Sequence, residues 1–421
     1  MGMNYNWKLF SNFISLSIVQ GINFLIPLVV TPYVISKVGV DGIGVIAIAQ
    51  TVMIYLSTIT DYGFNVSATK EITQYKNDRL KTSKIFFTVM ASKLIITAFL
   101  FVVLLALVFF IPALQQHFIL YVLGFTFVIG QCLSVNWFFL GIEKMHFITI
   151  GSLFSRLIFV VLLFVFMQKK EDDIFFLLFL GIGNMIAATA SIFIAIALLK
   201  LKFFRPLWVD IIDEFKKGWQ ITVSILSLNT YLFCGIFILR FFTNDLVVGY
   251  YSIAVRIFFA ARQVLAVFSE AVYPHICQLI LQGKESSKIF FKKVYFPVLI
   301  ATFLGCIVLF IFSPQVIYIF IKEKPALPVL LLRMLSFVPV IVCLNIPAYQ
   351  LLLAFDRKKS YLRIFGFATV INIAANILMV NEWGATGTVL SIILTELFIT
   401  AGLNRELYKN KLSGFISPGM I

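Results

Sequence analysis

Ser252-Ile-Ala-Val-Arg256-Ile-Phe-Phe-Ala-Ala-Arg262-Gln263-Val-Leu-Ala-Val-Phe-Ser-Glu270 reads as a membrane-spanning helix that carries two guanidinium groups in its body. An arginine at the centre of such a helix costs roughly 2.5 to 3.5 kcal/mol on insertion scales, so intramembrane charge turns toward a bundle interior or a water-filled cavity. Ser252, Arg256, Gln263 and Glu270 recur at helical spacing and share one stripe, flanked by Val255, Phe258, Phe259 and Val267. The stripe predicts a wet, cationic lumen.

The rest of the chain has the composition of a lipid-embedded protein. Its 421 residues are 61% hydrophobic and 13% charged, about half the charged share of a soluble domain. The net charge of +15 sits in short clusters between apolar runs, as in loops facing an anionic leaflet, and not in a nucleic-acid-binding patch. Cys132, Cys234, Cys277, Cys306 and Cys343 lie in or beside apolar runs without a CxxC pair or a His cluster, so no disulfide framework and no metal site is expected. No GxxxxGK[ST] loop is present, and no cofactor is expected. The first apolar run, following Lys8, is too long for a signal segment and is expected to remain in the mature protein.

Windows of about 20 apolar residues predict spans near 9–36, 42–61, 85–111, 118–140, 148–167 and 174–199, and again near 218–242, 249–272, 294–320, 327–354, 361–380 and 386–404. The expectation is an all-α integral membrane protein, with twelve transmembrane helices in two six-helix bundles around a central cationic cavity. The polar connection from Lys200 to Lys217 separates the bundles, giving domains 1–205 and 206–421. Lys and Arg concentrate on the side holding Lys8, Lys70, Arg79, Lys216, Lys292 and Arg357, which makes that side, and both termini, cytoplasmic. The short outer loops leave no room for an extracytoplasmic catalytic domain, and the chain is not expected to be an enzyme.

A polar stripe also runs along the first span through Ser17, Gln20, Asn23 and Thr31, with Pro27 and Pro32 able to bend it. Its counterpart in the second half carries Gln220, Ser224, Ser227 and Tyr231. Lys93, Arg156 and Arg333 are further deep cations, whereas Arg240 lies at a span end and can snorkel. The candidate substrate-binding residues are therefore Lys93, Arg156, Arg256, Arg262, Arg333, Gln20, Asn23 and Gln263. Glu396, Asp61 and Glu270 are candidate counter-ions or coupling groups.

Three stretches carry a resemblance: Asp61-Tyr-Gly-Phe-Asn-Val-Ser-Ala-Thr-Lys-Glu71, Val19-Gln-Gly-Ile-Asn23 with Pro27 and Pro32 after it, and Trp137-Phe-Phe-Leu-Gly-Ile-Glu-Lys-Met145. Together with Ser92-Lys93, Ser155-Arg156-Leu157, Tyr273-Pro274-His275-Ile276, Gln350 and Thr395-Glu396, they resemble the polysaccharide transporter family, specifically O-antigen flippases of the Wzx type. Leu140 and His275 depart from that pattern, which usually has Gln and often Arg there. The resemblance implies a flippase that carries an undecaprenyl-pyrophosphate-linked oligosaccharide across the bacterial inner membrane by alternating access. The membrane, the lipid-linked oligosaccharide, an O-antigen polymerase and a chain-length regulator are the partners it implies. The rival readings are a cation-coupled multidrug exporter of the same superfamily and an integral-membrane O-antigen polymerase or glycosyltransferase.

Overall fold

The computed structural model describes residues 2–410 and 412–415; the side chains of residues 1–20, 23, 24, 113, 274, 281, 282, 358, 411, 413 and 416–421 lie outside the description. The chain divides into two compact units, Met1–Leu226 and Ser227–Ile421. Among the described residues there are helices and no strands.

The first unit contains α1 (Gly2–Asp61), α2 (Phe64–Tyr75), α3 (Arg79–Phe110), α4 (Pro112–Gln115), α5 (Phe118–Leu133), α6 (Asn136–Gly141), α7 (His146–Phe166) and α8 (Phe175–Leu199). α9 (Trp208–Phe242) begins in this unit and continues in the second. The second unit adds α10 (Asp245–Gln282), α11 (Lys284–Phe290), α12 (Phe296–Ile311), α13 (Ser313–Ile321), α14 (Ala326–Leu335), α15 (Val338–Ala354), α16 (Lys358–Trp383) and α17 (Ala385–Lys409). Among the described residues, eleven helical segments are long and apolar enough to cross a membrane. The first of them runs through Gly39, whose φ of 80° breaks α1, so it covers parts of two of the twelve expected spans.

The boundaries have local causes. The Asp78 side chain accepts hydrogen bonds from the amides of Leu80 and Lys81, each at 3.1 Å, and so caps the start of α3. Asn244 caps α10 in the same way through Val247 N at 3.0 Å. Prolines in the first turns of α12, α13 and α15 restart helices where an interior amide is not needed. Many apolar side chains remain outward, with Phe99, Phe109, Phe110 and Phe241 all at least 66% exposed, as lipid-facing residues are.

Helix packing in the first unit depends on small residues. A Cβ on Gly181 of α8 would stand 2.1 Å from Thr126 Oγ1 on α5, and one on Gly183 would stand 2.4 Å from the Ser155 carbonyl on α7. Such close approach raises dispersion contact where no water drives association. The stretches beginning at Asp61 and Trp137 pack on each other. Thr69 and Thr73 of α2 donate to the carbonyls of Trp137 and Gly141 at 3.0 and 3.2 Å. Phe64, Phe86, Trp137, Phe138 and Phe139 form a fully buried aromatic core beneath them.

The polar connection after α8 is tied to the first unit. Arg79 Nε donates to the Lys200 carbonyl, Lys84 pairs with Asp210 at 2.7 Å, and Lys217 pairs with Glu71 at 2.5 Å and Glu214 at 2.8 Å.

Candidate functional site

Polar groups inside an apolar bundle have to be satisfied internally, so their partners define what each can do. In the first unit Lys93, on α3, is fully buried. Its ammonium reaches Asp61 Oδ1 at 3.0 Å and donates to the carbonyls of Gln131 at 2.8 Å and Ser134 at 3.1 Å. Three acceptors match its three N–H donors. Those two carbonyls border the interruption at Ser134 and Val135, between α5 and α6. Asp61 Oδ2 in turn accepts from Gln131 Nε2 at 2.5 Å and Asn65 Nδ2 at 3.3 Å. Lys93 and Asp61 thus pin a broken helix.

The break opens onto a cavity of about 190 Å³. Gln131, Ser134, Asn136, Ser152, Asn184 and Arg156 supply most of its polar wall, and Phe127 and Phe147 supply aromatic faces. Arg156 is half-buried on α7. Ser155 donates to Asn184 Oδ1 at 2.6 Å and fixes that amide across α7 and α8.

In the second unit the stripe on α10 grades outward: Ser252 is buried, Arg256, Arg262 and Gln263 are half-buried, and Glu270 is exposed. Arg262 meets Glu396 of α17. Its Nη1 lies 2.8 Å from Glu396 Oε1 and donates to the Tyr231 hydroxyl at 3.1 Å, while the guanidinium stands 5.6 Å from the Tyr231 ring centre. Tyr231, in the second-unit part of α9, donates its own proton to Glu396 Oε1. Asn345 Nδ2 lies 3.4 Å from Glu396 Oε2. The carboxylate side chain is 2% exposed and the arginine side chain 23%, so one partner is sealed and the other open. Arg262 Nε and Nη2 have no hydrogen-bond partner among the described residues. The acid is enclosed by donors, whereas the outer edge of the cation meets no protein acceptor among the described residues.

The remaining candidates are spread out. Arg333 Nε donates to Ser313 Oγ at 3.1 Å, beside the start of α13, and its guanidinium stands 5.4 Å from the Phe310 ring centre. Arg240 pairs with Asp245 at 2.7 Å at the α9–α10 turn. Gln20 and Asn23 have side chains outside the described residues.

Sequence reasoning passed over Asn345, Asn372 and Asn376. Asn372 Nδ2 donates to Thr395 Oγ1 at 3.0 Å, and Thr388 donates to Asn376 Oδ1 at 3.2 Å, bonding α16 to α17. The signal was available: asparagines four residues apart in an apolar span share one face. Gln350 is a further buried polar group, accepting from Tyr295 and donating to Ser269 O at 2.7 Å. Tyr295 ends a short π-helical segment, Phe291–Tyr295.

Comparison with known proteins places this arrangement in context. A protein of Escherichia coli (strain K12) named "Putative O-antigen transporter" is 24% identical over 410 residues, covering 95% of this chain and 97% of that protein. One of the same name from Shigella dysenteriae is 26% identical over 398 residues, covering 92% and 97%. Among solved structures, a lipid II flippase in an inward closed conformation aligns over 97% of this chain and 89% of its own, with a TM-score of 0.71 at 14% identity. An inward-facing multidrug resistance MATE family transporter of the MOP superfamily aligns over 94% and 98%, with a TM-score of 0.69 at 16% identity. The two structural likenesses speak for the fold, an all-helical membrane-transporter architecture. Residues 9–280 match the family described as polysaccharide biosynthesis protein, and the chain belongs to that family.

Proposed function

We propose that this multi-pass membrane protein is a non-enzymatic flippase. It moves an O-antigen oligosaccharide linked to undecaprenyl pyrophosphate from the cytoplasmic to the outer leaflet of the bacterial inner membrane by alternating access. The observation that carries the reading is Arg262: a guanidinium within the bundle, fixed by Glu396 and Tyr231 through one nitrogen, whose Nε/Nη2 edge meets no protein acceptor among the described residues. That edge matches two oxygens of a phosphate or carboxylate. Pairing the arginine with a sealed carboxylate offsets part of the desolvation cost of holding a cation in an apolar span.

The family and the O-antigen transporter relatives support this cargo. A cation-coupled exporter of cationic drugs would need an accessible acid, and here Asp61 and Glu396 each face a basic side chain within 3.0 Å.

The test is leaflet assignment of lipid-linked oligosaccharide in cells lacking the chain, complemented with wild type, Arg262→Lys or Arg262→Ala. Wild type is expected to clear cytoplasmic-face intermediates. Lysine should retain part of that activity because charge survives without the planar fork, and alanine should leave the intermediates on the cytoplasmic face. Full clearance per molecule by Arg262→Ala would remove Arg262 from substrate handling. Intermediates reaching the outer face without the chain would overturn the flippase reading.

A further inference from the structure

We infer that the segment from Lys200 to Trp219, which joins α8 to the span of α9, is an interfacial strap that binds anionic phospholipid of the surrounding membrane. The inference goes beyond the flippase reading and does not depend on which cargo the chain moves.

The direction in which the start of α9 faces is the first argument. Asp210, Ile211, Glu214 and Gly218, at helical spacing, turn toward the first unit. Asp210 pairs with Lys84 at 2.7 Å, Glu214 pairs with Lys217 at 2.8 Å, and Ile211 and Gly218 are buried. The opposite stripe carries Trp208, Ile212 and Trp219, which are 68%, 47% and 52% exposed. Acids inward and large apolar groups outward reverse the pattern of a helix end in water. They fit a helix whose outer face lies against lipid.

The level of that face is the second argument. α9 has 35 residues, about 52 Å of helix at 1.5 Å per residue, against a hydrocarbon core of about 30 Å. Its first turns belong to the excess, because the ion pairs of Lys84 and Lys217 with their acids are excluded from hydrocarbon. Trp208 thus stands at headgroup level, where amphipathic indole rings concentrate.

Charge is the third argument, and it selects the lipid. Lys200, Lys202 and Arg205 are exposed, and their side chains have no ion-pair or hydrogen-bond partner among the described residues. The chain beneath them is held in place. Lys202 N donates to Ser83 Oγ at 3.1 Å, Arg79 Nε donates to the Lys200 carbonyl, and the Phe203 ring rests 5.3 Å from that of Phe87 while remaining 81% exposed. Three unopposed cations beside outward Phe203, Leu207 and Trp208 complement a layer of phosphate over acyl chains. An acidic soluble partner would match the cations. It would not match an apolar face that continues through Trp219 and Val223 into a membrane span.

The test uses the full chain in phosphatidylcholine nanodiscs that contain rising fractions of either brominated phosphatidylglycerol or brominated phosphatidylcholine. The readout is the emission of Trp208, taken as the difference between wild type and Trp208→Phe. Bromine near the headgroup should quench it. Half of the effect should need about fivefold less of the anionic lipid than of the neutral one, the preference that one basic residue near such a surface supplies. Replacing Lys200, Lys202 and Arg205 together by Gln should remove the preference and keep the quenching, whereas Lys200→Arg with Lys202→Arg should keep both. High salt should weaken the preference in wild type. Equal half-points for the two lipids in wild type, or an undiminished preference in the glutamine variant, would overturn the assignment to anionic lipid. Should that variant not elute as wild type does, a preference unchanged by high salt would overturn it instead. Trp208 emission untouched by either lipid would put the strap in water or against another protein and end the inference altogether. None of these outcomes bears on the flippase reading, which leaflet assignment tests separately.

Discussion

Lys93 is a cation whose three donors all end on protein oxygens, and that decides what its loss would do. Lys93→Ala leaves Asp61 facing Gln131 and Asn65 without its ammonium, and frees the Gln131 and Ser134 carbonyls at the helix break. Removing one partner of a buried pair costs about 3 to 5 kcal/mol. The expected outcome is a sharp fall in folded membrane protein, read as monodisperse elution of a fluorescent fusion. Asp61→Asn together with Lys93→Met should recover part of it, since no lone charge then remains. Normal Lys93→Ala levels with lost O-antigen display would mean that Lys93 handles substrate. Glu396 allows a parallel prediction. Glu396→Gln keeps the shape but loosens the hold on Arg262, so display per molecule should fall, with membrane level within about twofold because the amide still accepts from Tyr231. An unchanged display would separate the Glu396 carboxylate from transport. The sequence made Lys93, Arg262 and Glu396 visible as charges deep in apolar runs. It did not reveal which acid meets which base, because Arg262 and Glu396 are 134 residues apart and only the packed unit joins them.

At the scale of elements, nearly every span was legible, since length and apolar content are local properties. The interruptions were not. Residues 118–140 read as one span, yet the chain leaves helical form at Ser134 and Val135 without a proline or glycine there. What stabilises the break lies elsewhere: Lys93 on α3 takes carbonyls beside it, and Trp137 and Phe138 after it enter the aromatic core. Close helix approach is equally non-local. Gly181 reads as one more small residue in an apolar run, but its missing side chain lets α8 lie on Thr126 and Phe127 of α5. Gly181→Ala would place a Cβ 2.6 Å from Phe127 N, a backbone atom that cannot rotate aside. Overpacking of this kind costs about 1 to 3 kcal/mol. The thermal midpoint in detergent should drop. Gly366→Ala is the control: its Cβ would meet nothing within 4 Å, and the gain in helix propensity of about 0.5 to 1 kcal/mol should hold or raise the midpoint. Equal midpoints for the two variants would contradict the tight α5–α8 contact.

For the whole molecule, the distribution of charge bears on orientation, and the first unit shows which loops share an end. Lys76 pairs with Glu143 at 3.3 Å, Lys84 with Asp210 at 2.7 Å and Lys217 with Glu71 at 2.5 Å, gathering the α2–α3 turn, the α6–α7 turn and the start of α9 at one end of the bundle. Lys170 pairs with Asp41 at 2.8 Å and Lys37 donates to Gln168 at 3.0 Å, gathering the Gly39 break and the α7–α8 turn at another. The first end also holds Lys70, Arg79, Lys81, Lys144, Lys200, Lys202, Arg205 and Lys216, far more basic residues than the second. Excess Lys and Arg in short loops marks the cytoplasmic side. Reporter fusions at Lys76 and Lys202 should therefore report cytoplasm, and a fusion at Lys170 should report the opposite side. In the second unit a fusion at Lys284 should report cytoplasm and one at Lys324 the outer side, since α12 and α13 together carry the chain across between them. Opposite signals at Lys76 and Lys202 would break the assignment of one shared end that the ion pairs make. Inversion of all five would leave the fold intact but reverse its orientation, and with it the direction in which the cargo is proposed to move.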